Sequence, residues 1–274
     1  MAEWGPMRLS ISSFVGKVPQ REMNLRAAEE AFDCLERVAR LKERLRASWD
    51  MGSPAPTEPL ALKMVESIEL VGNGHLTPMA AVAGTIADGV ADFLFDRGMT
   101  QVIVNNGGDI AVRLTAPNSV RVGLREKVEK ETFTQVVFLA PSPQSKQTSF
   151  GIATSGLGGR SLTCGIASAV TVIANTASMA DAAATAVANT SFVENPGVIR
   201  QPAETVDPQT DIPGIPVTVH VGDLDRETRK IAIAQALDRA RDLVKRNIIL
   251  GTMVVVDGER GMTPFFENHL VPTS

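Results

Sequence analysis

Tyrosine is absent from this chain of 274 residues, and aromatic side chains make up only 4% of it. A heterocyclic ligand would therefore find few rings to stack on. Cysteine is nearly absent too: Cys34 and Cys164 stand far apart without metal-ligand spacing, which excludes a disulfide framework and a zinc site and fits a reducing compartment. There is no excess of basic residues. The formal net charge of −4 argues against a partner bound through bulk phosphate charge, so no nucleic acid is expected. No apolar run is long enough for a membrane span, the least polar stretch, Ala167 to Ala188, being interrupted by Asn175 and Asp181. The start MAEWGPMRLS lacks the basic-then-apolar order of a signal peptide, so a cytoplasmic protein off the membrane is expected.

What is present alternates helix and strand signals. Leu25, Ala28, Phe32, Leu35, Ala39, Lys42, Leu45 and Trp49 recur at three- and four-residue steps, predicting an amphipathic helix over 20–50 that ends at the proline-rich MGSPAPTEPL. A second helix is expected over 79–97, with Val82, Ile86, Val90, Phe93 and Leu94 on one side and Gly98 as its stop. QVIVNN, GGD and IAVRL read as strand, tight turn and returning strand. Further strands are expected over 119–124, 132–140, 150–153 and 169–174, followed by an alanine-rich helix over 178–190. Residues 194–216, rich in proline and acids, read as an extended loop. VTVHV, a helix capped by Asp225 and a strand in TMVVVDG complete an α+β pattern. A small-residue helix near a strand occurs in each half, so one domain over 1–274 built from two fused related halves is expected.

Three segments could carry chemistry. Asp181 and Thr185 lie one helical turn apart among alanines, a carboxylate and a hydroxyl suited to a hard cation such as Mg²⁺, although such pairs also occur on exposed helices. The turn Asn105-Asn106-Gly107-Gly108-Asp109 allows close backbone approach to a ligand, and is equally a favoured hairpin composition. Thr154, Ser155, Gly156 and Arg160 supply hydroxyls, flexible backbone and a guanidinium from which an anion nest can be built, but match neither a P-loop nor the dinucleotide fingerprint. His75, in GNGHLTPM, is the one histidine placed as a candidate catalytic group, and a solvated loop histidine is its plainer reading.

In order along the chain, MAAVAGTIADGVADFLFDRG, VIVNNGGDIAV, GIATSG and AVTVIANTASMADAAATAV resemble the ApbE family of FAD:protein FMN transferases. The likeness is nearest to an uncharacterised cytoplasmic branch of that superfamily, found in anaerobic bacteria and methanogenic archaea. It implies an ApbE-like T-fold of antiparallel sheets packed against helices. It implies Mg²⁺ on Asp181 and Thr185 with the carbonyl of Ala80, and a flavin-type or other nucleotide ligand, FAD among them, on Asn106, Gly107, Gly108 and Asp109 with Thr154, Ser155 and Gly156. Phe93, Phe95, Phe150 and Phe192 are the rings from which a flavin wall would have to come.

Two departures bear on transfer chemistry. Ala83 stands where the transferases carry a lysine before Gly84, and LGGRSLTCGIAS replaces their His-Ile-Ile-Asp-Pro run. The resemblance thus implies a cytoplasmic binder of a phosphate-bearing small molecule, with degenerate FMN or nucleotidyl transfer. The alternative is a non-catalytic protein partner or scaffold in anaerobic sulfur (homocysteine) or one-carbon metabolism.

Overall fold

The computed structural model describes residues 1–49, 52–72, 76–126, 133–159 and 161–272. Its helices are α1 (Arg21–Ala39), α2 (Lys42–Leu45), α3 (Pro59–Val71), α4 (Val82–Phe95), α5 (Ala177–Asn189), α6 (Ala203–Val206), α7 (Arg226–Lys245) and α8 (Pro264–His269), with a 3-10 turn at Pro78–Ala81. The strands are β1 (Ala2–Trp4), β2 (Met7–Val15), β3 (Val18–Pro19), β4 (Gln101–Asn106), β5 (Asp109–Thr115), β6 (Val120–Leu124) and β7 (Gln135–Leu139). They continue with β8 (Gln147–Ser155), β9 (Ala169–Ala174), β10 (Val198–Pro202), β11 (Pro216–Val221), β12 (Gly251–Val256), β13 (Glu259–Met262) and β14 (Leu270–Val271). This is the α+β architecture expected. Two compact units divide the chain, the first comprising Met1–Arg121, Phe138–Ala153 and Ile173–Ala182, and the second the remainder.

In the first unit the antiparallel order is β1-β2-β4-β5-β8, with β3 on β2. Along β4, burial alternates strictly, so Val102, Val104 and Asn106 point to one face. Their partners across the ladder, Arg113, Ala111 and Asp109, share that face, and Gly151 of β8 pairs with Ala111 beyond them. Helix α4 packs on β4 and β5 there, burying Ile86, Val90 and Leu94. By length and mean hydropathy (1.3) Pro78–Phe95 could cross a membrane, but α4 spends its apolar face on the sheet.

The stripe expected on α1 is rotated. Ala27, Ala31, Cys34 and Val38 are the buried positions, while Leu25 is 71% exposed, because α1 meets α4 through small side chains that permit close approach. It also stops at Ala39, before the separate short α2. Helix α3 was hidden by its prolines: Pro59 occupies the first helical position, where no N–H is needed, and the Glu58 carboxylate accepts from the Ala61 N–H at 2.7 Å. Trp4 meets Phe32 edge to face at 5.1 Å, and the Trp49 indole donates to Glu69 at 2.9 Å.

In the second unit β9, β12 and β13 are neighbours, β10 pairs with β11, and β14-β7-β6 form a small sheet. Helix α7 packs on β12 and β13, and Asp225 caps it by accepting from the Thr228 N–H at 2.8 Å. Residues 194–216 are more regular than their composition suggested. Val198–Pro202 form β10, whose one proline, Pro202, pairs with Pro216 at the end of the ladder, where no further donor is needed, and Ala203–Val206 form α6.

Both units contain a helix followed by a hairpin, and both helices end alike. After α4, Met99 N–H donates to Leu94 O and Gly98 N–H to Phe95 O. After α7, Ile248 N–H donates to Leu243 O and Asn247 N–H to Val244 O, with Gly98 and Asn247 in the left-handed region at φ 87° and 57°.

Candidate functional site

Helices α4 and α5 exchange carboxylates, each reaching the backbone at the start of the other. Asp181 of α5 accepts from the Gly84 N–H of α4 at 2.9 Å, and Asp88 of α4 accepts from the Ala177 and Ser178 N–H groups of α5, each at 3.0 Å. Helix starts present unpaired N–H groups, so each carboxylate answers a need of the other helix. Only glycine permits the approach: a Cβ on Gly84 would lie 2.1 Å from the Ala177 carbonyl oxygen, and one on Gly151 2.0 Å from that of Thr176.

The hairpin tip joins them. Gly107 and Gly108 have φ of 68° and 120°, as a two-residue loop with two left-handed positions requires, and the Asn105 side chain accepts from the Gly108 N–H at 2.8 Å. Asn106, 3% exposed, donates its amide to the Ala83 carbonyl at 3.1 Å, and so ties the tip to the start of α4. Asp109, opposite Asn106 in the ladder, is half-buried and close enough to Asp181 for their charges to interact.

The two acids exchanged between the helices, Asp88 and Asp181, have opposite electrostatics. Burial would raise the Asp88 carboxyl, but Lys63 (3.1 Å), Arg113 (3.0 Å) and the Ser178 and Ala177 amides hold it below the ordinary carboxylate range. Arg113, 4% exposed, also binds Asp92 at 2.7 Å. Asp181 is pushed well above that range, first by burial and then by the Asp109 charge, with Asp88 adding to them, while the Gly84 and Ala83 amides only partly oppose this.

A carboxyl raised in the fold stabilises it below the unfolded pKa, about 4, and that contribution is lost as pH rises through the raised value. Asp181→Asn is therefore expected to be more stable than wild type at pH 7 in cation-free buffer, the difference shrinking toward about pH 4. Chemical denaturation at several pH values measures it; equal stability at pH 7 would contradict the strained carboxylate.

Thr185 is half-buried one turn beyond Asp181 along α5, and Ala80 lies in the 3-10 turn, its N–H donating to Thr77 O at 3.0 Å. His75 and Arg160 lie outside the described residues. Among the described residues no three His, Cys, Asp or Glu side chains cluster as a metal set, so any cation on Asp181 and Asp109 needs hydroxyl, carbonyl or ligand oxygens as well.

The glycine-rich loop belongs to the second unit. Thr154 and Thr171 hydroxyls are 2.9 Å apart, and Gly156, at φ 145°, brings its backbone against the Ser168 and Ala167 carbonyls, where a Cβ would sit at 2.8 and 2.9 Å. Leu157, Ile166, Ser168, Val221, Leu224 and Asp257 line a depression of about 300 Å³ beside it, at the small end of ligand pockets. Two of the expected ring faces are taken: Arg97 lies over Phe93 at 3.6 Å and Arg200 over Phe192 at 4.1 Å. Cys164 is half-buried and its thiol is raised by burial despite Arg200, as expected of an inert cysteine.

Sequence reasoning missed Lys63, Asp92 and Arg113 as parts of this cluster. The signal was a charge inside each of two apolar runs, Arg113 in IAVRL and Asp88 in GTIADGV, since charges at buried positions require partners.

An α+β protein with an oxygen-rich acidic cluster at two crossing helix starts is thereby defined. A family model described as "AbpE bacteria" matches residues 1–262, and the chain belongs to that family. Its relatives include a UPF0280 protein of Methanoregula boonei, 38% identical over 156 residues, which are 57% of this chain and 60% of that one. Another, from Methanococcus maripaludis, is 33% identical over 189 residues, 64% of this chain and 71% of that one. The chain thus spans about 60% of the length of the first relative. Among solved structures, the apo flavinyl transferase ApbE of Pseudomonas stutzeri is 13% identical, with 96% of each chain covered and a TM-score of 0.48. The ApbE protein of Thermotoga maritima is 13% identical over 94% of this chain and 79% of that one, with a TM-score of 0.43.

Proposed function

We propose that the protein binds a flavin- or nucleotide-type phosphate ligand together with Mg²⁺. The observation that carries the reading is the Asp181 carboxylate, half-buried, accepting from the Gly84 N–H at 2.9 Å and exposed to the negative charges of Asp109 and Asp88. A divalent cation removes that repulsion, and the donors fit it: carboxylate oxygens of Asp181 and Asp109, the Thr185 hydroxyl and the Ala80 carbonyl are hard ligands. When bound, the cation would neutralise a diphosphate and fix its orientation.

The chain's own residues prepare the place. Asn106 fixes the hairpin tip against Ala83, the Gly84 amide orients Asp181, and Gly107 and Gly108 keep the tip free of side chains, with open space where a Cβ on Gly108 would stand. The choice of a flavin or related nucleotide follows the ApbE likeness of these motifs. Ala83 in the lysine position, and the lack of histidine between Leu157 and Ser168, favour binding over transfer.

Thermal unfolding with FAD, FMN, ATP or ADP, each with and without Mg²⁺, tests the reading, alongside Asp181→Ala. At a ligand concentration of about 100 Kd, binding to the folded state alone adds about 2.7 kcal/mol, an increase of roughly 5–10 °C in Tm. A Mg²⁺-dependent increase that Asp181→Ala abolishes is expected. No increase with any ligand would leave the scaffold reading in its place.

A further inference from the structure

We infer that Asp88 is the positioning residue of the cation site: it sets where Asp181 stands by fixing the start of α5. The inference rests on the cation reading above, and adds a residue that no ligand would touch.

Asp88 is completely buried and uses both oxygens on α5, Oδ1 for the Ala177 N–H and Oδ2 for the Ser178 N–H. Asp181 follows on the same helix, four and three residues later, which places it one turn above those two amides. Gly84, whose N–H meets Asp181, lies four residues before Asp88 on α4, again one turn away. The two carboxylates therefore close a ring: α4 backbone, Asp181, the first turn of α5, Asp88, and back to α4. If α5 slid or turned by a fraction of a residue about this point, Asp181 would leave the Gly84 amide and the Asp109 side of the hairpin.

Each oxygen of Asp88 is also held from its other side. Arg113 of β5 binds Oδ1 at 3.0 Å and Lys63 of α3 approaches Oδ2 at 3.1 Å, while Arg113 is itself fixed by Asp92 at 2.7 Å. The carboxylate that grips α5 thus cannot rotate without breaking an ion pair. Arg113 shares the sheet face of Asn106 and Asp109, so strand register carries the same alignment to the hairpin tip. Asp88, a buried anion with two cations and two amides, stands one turn from Asp181, an anion that meets the Asp109 and Asp88 charges beside the Gly84 amide: Asp88 holds the helix, and Asp181 presents the ligand oxygen. Residues that orient metal ligands in this way typically change affinity by ~10–100-fold when altered.

Mn²⁺ binding followed by electron paramagnetic resonance tests this in the full chain, with Asp181→Asn, Asp88→Asn, Asp88→Glu and Lys63→Met. Asp88→Glu keeps the charge but misplaces the grip on Ala177 and Ser178. Lys63→Met removes an ion pair and some stability, yet leaves both amide bonds and Arg113 in place. The expected result is Mn²⁺ binding by wild type, none by Asp181→Asn, affinity lowered about tenfold or more in the Asp88 variants, and affinity within about twofold of wild type in Lys63→Met. Wild-type affinity in both Asp88 variants, or an equal loss in Lys63→Met, would overturn the positioning role while leaving the cation site intact. Absence of Mn²⁺ binding in wild type, or full binding by Asp181→Asn, would instead remove the cation reading and this inference with it.

Should neither Asp88 variant fold, the wild type answers directly. Coupling is reciprocal, so a cation whose site depends on the Asp88 grip must tighten that grip in return. Amide exchange at Ala177 and Ser178 should slow on Mg²⁺ addition, and unchanged exchange with the cation bound would overturn the inference.

Discussion

Gly84→Ala is expected to destabilise the protein by about 3 kcal/mol and to abolish any Mg²⁺-dependent ligand effect. In the interior of an exposed helix the same change would stabilise by roughly 1 kcal/mol, because alanine loses less conformational entropy than glycine. Here the added Cβ would lie 2.1 Å from Ala177 O, 2.4 Å from its carbon and 2.8 Å from Ser178 N. All three are backbone atoms at a helix start held by Asp88, so none can yield alone. Gly89→Ala, one and a half turns along α4, is the comparison: its Cβ would meet Cys34 Sγ and Leu60 Cδ2, both at 3.3 Å, which are side-chain ends able to shift. Urea denaturation of the two variants should give opposite or widely separated changes, and equal stabilities would mean that α4 and α5 do not touch at Gly84.

Arg113→Met should be nearly as severe, with an expected loss of about 3–5 kcal/mol at pH 7, since removing one member of a buried ion pair leaves the other uncompensated. Asp88 would keep Lys63, whose side chain is 30% exposed and therefore screened, and its two amides. The pH dependence follows from the depressed Asp88 carboxyl. A carboxylate lowered in the fold contributes stability above its unfolded pKa, about 4, and the contribution is lost as pH falls from there through the lowered value. Wild type should thus lose stability steeply in acid below about pH 4, and Arg113→Met less steeply because it has already lost much of that contribution. Denaturation curves at pH 7 and across the acid range measure both effects. A loss below about 1 kcal/mol at pH 7 would mean that the pair behaves as an exposed one.

Local signals account for much of what sequence reading found. β4, the Gly107-Gly108 turn, β5, β9, α5, the Gly98 stop and the Asp225 cap each depend on neighbours within a few residues, and each is found where expected. Helix α3 escaped because Pro54 and Pro56 precede it and Pro59 opens it, although Glu58 and Pro59 are themselves a helix-start signal. The face of α1 was misjudged for a different reason: helical spacing gives a stripe wherever apolar residues recur, and only the partner decides between Leu25-Phe32 and the smaller Ala27-Ala31-Cys34-Val38. β10 escaped because its ladder partner, β11, begins fourteen residues after it ends.

The candidate site divides in the same way. Asp181 and Asp109 stand out locally, one among alanines and the other beside two glycines. Their neighbourhood does not: Asp88 meets Arg113 across 25 positions, and Ala177 and Ser178 across 89 and 90. Such separations leave no periodic trace in a single sequence. The only hint is compositional, a charge lodged in an apolar run.

The scarcity of aromatic residues has a spectroscopic consequence. With no tyrosine, intrinsic ultraviolet emission comes almost wholly from Trp4 and Trp49, and both belong to the first compact unit, one against Phe32 and the other bound to Glu69. Tryptophan fluorescence therefore watches that unit alone and is silent about the second. Circular dichroism, to which α7 contributes as strongly as α1, watches both. Superimposed melting curves from the two signals would establish that the halves unfold as one, and a gap between them would give each half its own transition temperature without a single label being attached.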